Sequence, residues 1–448
     1  MGKKRFLPRL KPIQLLTWGF LFSVIIGTFV LTLPISSSDG QPQNVLDALF
    51  MATSAVTTTG LIVVDTGSYY SPFGQLVILA LFQLGGLGYM IFIVFLVFAF
   101  GKKLSLNGRM TLQEALAGLP LDNVKPFIHR VLLITAIFEI LGTFVLTASW
   151  LHHFPFRKAL YAGLFHSISG FCTAGFSIFA DSFIKYKSAP IINLSVAVIS
   201  IIGGLGFFVL NDIYVYFCKL FKRERPIRLS VHSKVVLTIT PILIILGTIG
   251  LFFFEKELAN LSFNDRVLIS SFQSISAATT TGFNTVDIGT MNPVGLLIIV
   301  ILMFIGASPG GTGGGIKTTS FFVIILYLVA HLKGREQINI FRRQLHNESI
   351  NKAVAVGIMA IVVLALGVIL LMITERAPFL NTLFEAMSAI GTVGLSMGMT
   401  PSLTNAGKLV ICILMFFGRI GPLSIGFALM GGTDKPSYSL PKEKVYVG

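Results

Sequence analysis

The sequence predicts an all-α integral membrane protein: four repeats, each a span, a re-entrant pore loop and a second span, set in pseudo-fourfold arrangement around one pore, eight transmembrane spans in all. Three observations predict it. The 448 residues are 54% hydrophobic and only 12% charged, with a mean hydropathy of +0.83, more apolar surface than a water-soluble core of ordinary composition hides. Eight apolar runs are long enough for the hydrocarbon thickness of a bilayer. The tripeptide Thr-x-Gly, followed by Leu or Phe, recurs four times at roughly 110-residue intervals, ending at Gly60, Gly175, Gly282 and Gly394, which marks an internal repeat.

Taken in order, the apolar runs cover 13–34, 75–100, 129–151, 190–217, 232–254, 294–330, 351–374 and 407–430, two to a repeat. Between the members of each pair lies a half-apolar segment too short to span, at 44–59, 157–174, 264–281 and 378–393. Each is a short amphipathic run that ends in small residues and leads into the Thr-x-Gly motif. The chain divides accordingly into an N-terminus (1–12), repeat one (13–105), repeat two (106–222), repeat three (223–345), repeat four (346–430) and a tail (431–448). The first run follows Lys3, Lys4 and Arg5, exceeds a signal peptide's apolar region and lacks a small-residue cleavage pattern, so it reads as a retained span.

Basic residues set the orientation. Of the 34 Lys and Arg, 24 fall at the termini and in the linkers between repeats, eight fall on the opposite side, and Lys317 and Arg419 sit at membrane depth. The richer side is cytoplasmic, which places both termini inside and opens all four motifs outward. The net charge of +15 is thus distributed between spans, whereas a nucleic-acid surface needs it gathered on one soluble face. Three scattered cysteines make neither a disulfide framework nor a zinc spacing. An intramembrane enzyme needs convergent polar groups within the spans, and only isolated ones occur, so no catalytic residues and no resident cofactor are expected.

Non-helical backbone is tolerated at membrane depth only where protein buries it or water reaches it. Four such segments suggest a ring around an axis. Backbone carbonyls aimed inward supply the oxygens that a dehydrated monovalent cation needs, without an anion that holds it too tightly. The candidate selectivity filter is therefore Thr58, Thr59 and Gly60; Thr173, Ala174 and Gly175; Thr280, Thr281 and Gly282; and Thr392, Val393 and Gly394. Glycine admits the φ values that let successive carbonyls face one way, and the threonine two residues earlier adds a carbonyl and a hydroxyl. The bland alternative for one copy is a helix stop with glycine at C′; four copies in register argue against it. Each re-entrant helix directs its negative C-terminal end at the pore, which favours a cation.

The sixth run is interrupted by Gly306, Ala307, Ser308, Pro309, Gly310, Gly311, Thr312, Gly313, Gly314, Gly315, Ile316 and Lys317, continuing through Thr318, Thr319 and Ser320. So many glycines and a proline do not continue a helix. Two half-helices joined by a loop at 306–320 are expected, beneath the filter, and the loop is a gate candidate; a passive kink is the alternative. Its resemblance to a phosphate-binding loop is superficial, because Ile316 separates Gly315 from Lys317 and no strand precedes it. Lys317 is expected to answer to cations in the pore or to hold the loop closed. Arg419, about 12 residues and roughly 18 Å into the last span, is expected to face the pore as a barrier to cations or to bind loop carbonyls. Asp65, Asp181 and Asp287 follow their filter glycines closely, where they can concentrate cations at the outer mouth or cap loops. Glu139 reads as a contact between helices, and His166 as a packing or hydrogen-bonding residue.

These motifs, with Asp47-Ala48-Leu49-Phe50, Val63-Val64-Asp65-Thr66-Gly67, Met303-Phe304-Ile305-Gly306-Ala307 and Phe417-Gly418-Arg419-Ile420-Gly421-Pro422, resemble the Trk/Ktr/HKT superfamily of potassium transporters, most of all the membrane subunit of bacterial Ktr systems. The resemblance covers nearly the whole chain. It implies a multi-pass protein of the bacterial plasma membrane that moves K⁺ inward, with K⁺ held only by the filter carbonyls. A serine in place of the first filter glycine goes with sodium transport in that family, so Gly60 implies potassium. The resemblance further implies a homodimer, one pore per subunit, on a cytoplasmic ring of RCK-type regulatory subunits that bind ATP, ADP or a dinucleotide. Na⁺ is a possible activator, and a Na⁺- or H⁺-coupled symporter is the rival reading.

Overall fold

The computed structural model describes residues 12–100, 124–224, 228–335 and 337–421. The expected tail (431–448), the end of the last apolar run (422–430) and nearly all of the N-terminus lie outside them. The described chain is mainly helical; its paired strands are the two-residue β1 (Asn339–Ile340) and β2 (Arg343–Gln344), with Asn339 opposite Gln344 and Ile340 opposite Arg343, and an isolated bridge joins Ser37 to Tyr70.

The helices are α1 (Pro12–Leu31), α2 (Val45–Val56), α3 (Thr66–Tyr69), α4 (Pro72–Phe100), α5 (Val124–Trp150), α6 (Phe156–Phe171), α7 (Pro190–Leu205) and α8 (Phe207–Phe221). They continue as α9 (Val231–Phe254), α10 (Phe263–Ala278), α11 (Pro293–Ile305), α12 (Thr318–Leu332), α13 (Asn347–Thr374), α14 (Phe379–Gly391) and α15 (Asn405–Ile420). Short polar side chains start many of them, as expected where four amide donors lack helical partners. Asn44 accepts from Leu46 N–H at 2.9 Å, Ser230 from Ser233 N–H at 3.1 Å and Thr404 from Gly407 N–H at 3.1 Å. Asn292 caps α11, with Pro293 at the first helical position, where its missing N–H costs nothing.

Among the described residues three helices, Val124–Trp150, Val231–Phe254 and Asn347–Thr374, are each long and apolar enough to cross a membrane, and α7 with α8 makes a fourth if the bent pair is one span. Their outward faces carry Phe144, Leu246 and Ile361 exposed, while the inward side buries hydroxyls such as Thr135, Thr147 and Thr240. That inversion suits a hydrocarbon solvent. The apolar run at 190–217 differs from expectation: α7 stops at Leu205, Gly206 takes φ 94°, and α8 leaves at 98° to it. Hydropathy does not register such a break because Gly203-Gly204-Leu205-Gly206 lies in unbroken apolar sequence.

Small residues let the second helix of a pair cross the short one. A methyl on Gly85, Gly203 or Gly418 would strike the backbone carbonyl of Val56, Phe171 or Ile390, near the C-terminus of α2, α6 or α14. Two carboxylates tie helix ends together. Glu255, which closes α9, accepts from the backbone N–H of Asn292 at 3.3 Å, and Glu375, which closes α13, accepts from that of Thr404 at 3.2 Å. Glu139 joins α5 to α4 by accepting from Gln83 Nε2 at 2.8 Å, a contact between helices as expected.

The first and last quarters of the chain share one apolar core, which includes Phe50, Met51 and Phe82 with Ala386, Ile411 and Met415. Beside it Lys408 Nζ pairs with Asp47 Oδ1 at 2.6 Å, both side chains largely buried. Lys408→Met leaves Asp47 unpaired and is expected to destabilise the detergent-solubilised protein by about 1 kcal/mol or more. A thermal melt checks this, and the Asp47→Asn, Lys408→Met double variant should recover part of the loss.

Candidate functional site

Each of α2, α6, α10 and α14 ends in the same way. In α2, Thr58 N–H donates to Ala55 O at 3.0 Å and Thr59 N–H to Ser54 O at 2.8 Å, the paired 5→2 and 6→1 bonds of a Schellman cap. The same two bonds recur at Thr173 and Ala174, at Thr280 and Thr281, and at Thr392 and Val393. The left-handed residue of such a cap is usually glycine. Here it is threonine, with φ of 53°, 48°, 57° and 48° at Thr58, Thr173, Thr280 and Thr392. The expected alternative, glycine at C′, is thus not how these helices stop: the motif glycine lies two residues past the cap.

Left-handed φ costs a β-branched residue about 1–3 kcal/mol. Of the nine non-glycine residues with positive φ among those described, four are these threonines and a fifth is Lys317, so the strain is concentrated in the motif and the loop. Two residues on, Gly60, Gly175, Gly282 and Gly394 also take positive φ, between 68° and 93°.

The four segments abut in a closed circuit. A methyl on Gly60 would lie 2.5 Å from Ala174 O and 3.2 Å from the α-carbon of Gly175. One on Gly175 would strike Thr281 O, one on Gly282 would strike Val393 O, and one on Gly394 would strike Thr59 O. Repeat one thus touches two, two touches three, three touches four, and four returns to one. All four glycines border one cavity of about 360 Å³, along with Asp181 and Asp287. Asp287 also accepts from Gly289 N–H at 2.9 Å and Asp181 lies 3.6 Å from Lys185. Asp65 caps α3 by accepting from Ser68 N–H at 2.7 Å.

A serine six residues before each glycine braces the strand, a feature the sequence reading passed over although Ser54, Ser169, Ser276 and Ser388 stand in register. Ser54 and Ser388 accept from the N–H of Gly60 and Gly394 at 3.1 and 3.0 Å. Ser169 and Ser276 donate to the carbonyls of Phe176 and Phe283 at 2.8 and 2.6 Å. Behind the strands His166 bonds Ser177 at 2.9 Å and Glu385 accepts from Ser396 at 2.9 Å; His166 is buried among Trp150, Phe179 and Phe183.

The broken sixth run passes directly beneath. The segment from Gly306 to Lys317 joins α11 to α12, and its ends meet where Ala307 N–H donates to Gly314 O at 3.2 Å. It touches the capping threonine of every repeat. Thr58 Oγ1 donates to Thr312 O at 3.2 Å, Thr173 Oγ1 to Thr312 Oγ1 at 3.1 Å, and Gly314 N–H to Thr280 Oγ1 at 3.2 Å. A methyl on Gly314 would strike Thr392 Oγ1. Both cations that the sequence places at membrane depth bind this loop: Arg419 donates to Thr312 O and Gly85 O, and Lys317 Nζ donates to Gly313 O at 2.6 Å. Ser308 Oγ pairs with Thr318 Oγ1 at 3.0 Å.

The TrkH cation transport protein family matches residues 20–433 of this sequence. The chain belongs to that family. Among its relatives, the Ktr system potassium uptake protein B of Bacillus subtilis is 40% identical, with 98% of this chain and 97% of that protein aligned. The Ktr system potassium uptake protein B of Vibrio alginolyticus is 34% identical over 97% of this chain and 94% of its own length. The potassium/sodium uptake protein NtpJ of Enterococcus hirae is 33% identical over 100% and 99%. The crystal structure of the potassium transporter TrkH from Vibrio parahaemolyticus has the same fold, with a TM-score of 0.72, 18% identity, and coverage of 96% of this chain and 86% of that one.

Ser54→Ala leaves the buried N–H of Gly60 without its acceptor. The expected cost is about 1–3 kcal/mol, read as a lower melting temperature of the purified protein, whereas Ser195→Ala, which removes an exposed hydroxyl bonded within its own helix, should melt like the unaltered chain.

Proposed function

We propose that this chain is the ion-translocating subunit of a potassium uptake system, passing K⁺ inward through a filter made by Thr58 to Gly60, Thr173 to Gly175, Thr280 to Gly282 and Thr392 to Gly394. The single observation that carries this reading is the closed circuit in which each glycine backs onto the carbonyl before the next repeat's glycine. Carbonyls so arranged replace the water shell of a monovalent cation, and α2, α6, α10 and α14 add their negative C-terminal ends. The membrane potential drives the ion, since one charge crossing 100 mV gains about 2.3 kcal/mol.

The rest of the reading follows. Eight spans stand in pseudo-fourfold arrangement around one pore, with both termini in the cytoplasm and Asp181 and Asp287, with Asp65 farther out, drawing cations to the mouth. The loop from Gly306 to Lys317 is the gate, and Arg419 and Lys317 keep it shut by holding the carbonyls of Thr312 and Gly313. The protein works as a homodimer on a cytoplasmic RCK-type ring; the name Ktr system borne by the Bacillus and Vibrio relatives favours a multi-component assembly. ATP, ADP or a dinucleotide acts only through that partner. A second reading, sodium-coupled potassium uptake, is favoured by the name of the Enterococcus relative, a potassium/sodium uptake protein. Tracer uptake into liposomes at clamped voltage, with and without Na⁺, separates the two.

Gly60→Ser forces Ala174 O to move and is expected to lower discrimination of K⁺ against Na⁺ by tenfold or more in liposome flux; unchanged relative permeability contradicts the filter. Deleting residues 310–315 removes the loop from beneath the threonines and should raise K⁺ flux through the purified subunit. Flux equal to that of the full chain would mean that the loop is no gate.

A further inference from the structure

The break between α7 and α8 lies directly against the loop. Where a helix stops, its last carbonyls lose their partners and must find donors elsewhere. At the end of α7 the loop supplies them: Ser308 N–H donates to Gly204 O at 3.1 Å and Thr312 N–H to Gly203 O at 3.2 Å. The bond in the other direction comes from the first residue of α8, whose N–H donates to a loop carbonyl, Phe207 to Gly310 at 2.9 Å. Gly206 between them is at φ 94°, and a methyl there would lie 2.5 Å from Pro309 O. Three backbone hydrogen bonds and one close approach thus join the loop to repeat two, independently of Arg419 and Lys317.

We propose that this break is the seat of the closed loop and that α8 is the lever that releases it. The inference rests on the gate reading above and adds where the gate is held and by what it is moved. α8 is 15 residues long, about 22 Å at 1.5 Å per residue. Its start bonds the loop, and its far end carries Lys219, with Lys222 and Arg223 just beyond, a basic surface for a cytoplasmic partner. A tilt of α8 at Gly206 pulls the donor of Phe207 from Gly310 O, which loosens the loop two residues before the first of the carbonyls that the two cations hold.

A pair of substitutions isolates the bond. Phe207→Pro deletes the donor at a first-helical position that accommodates proline, after a residue whose ψ of 140° suits it. Phe207→Ala removes the same buried ring and keeps the donor. In proteoliposomes of the full chain, K⁺ flux through the proline variant is expected to exceed that of the alanine variant about fivefold, the weight of one hydrogen bond, with K⁺ over Na⁺ preference equal in both. The loop deletion (310–315) is the reference. If it raises flux but the two Phe207 variants match, the gate stands and the seat falls; if it leaves flux unchanged, gate and seat fall together. Should the proline variant fail to fold, Gly206→Ala takes its place, compared with Gly334→Ala. Gly334 has φ 64° and no neighbour within 4 Å of an added methyl, so it carries the backbone strain alone. Higher flux at position 206 supports the seat, and equal flux overturns it.

Discussion

A helix that ends inside an apolar medium must bind its own last carbonyls, and the four short helices do so with one strained turn. The cap closes on a threonine at left-handed φ instead of the glycine that would adopt it freely. What the strain secures is a hydroxyl pointing down from each repeat onto the intramembrane loop and a strand that leaves each helix toward its neighbour. Glycine at the cap would relax the turn and remove that hydroxyl. Everything else at the site depends on this turn: the circuit of glycines above it, the serines that brace the strands, and the loop packed below.

The loop is satisfied from four directions. Threonine hydroxyls meet it from above, Arg419 and Lys317 hold successive carbonyls, the end of α7 accepts its amides, and α8 returns a donor. A segment of glycines loses much conformational entropy when ordered, and these contacts offset that loss. Each contact is also modest on its own.

Much of this was legible in the sequence because it is local or repeated. The four Thr-x-Gly motifs, the short helices ahead of them and the glycine-rich interruption announce themselves by spacing and by composition that no helix tolerates. Thr58, Thr173, Thr280 and Thr392 were singled out as support for the strand, yet their left-handed φ was not readable, since nothing in the residue type suggests it. The serines were visible as small residues in register; their bonds depend on how the strand folds back. Least legible were Gly206, hidden in unbroken apolar sequence, and Glu255 and Glu375, whose partners Asn292 and Thr404 lie about 30 residues or more away. Hydropathy reports which solvent a segment prefers and is silent about where its backbone turns.

The central claim is that one ion path runs through the circuit of glycines. Anomalous scattering from Rb⁺ or Tl⁺ in the purified protein tests it most directly. The account predicts peaks on the axis enclosed by Gly60, Gly175, Gly282 and Gly394, bounded by the carbonyls of Thr59, Ala174, Thr281 and Val393 and lying above Thr312. Peaks elsewhere in the protein, with none inside that circuit, would contradict it.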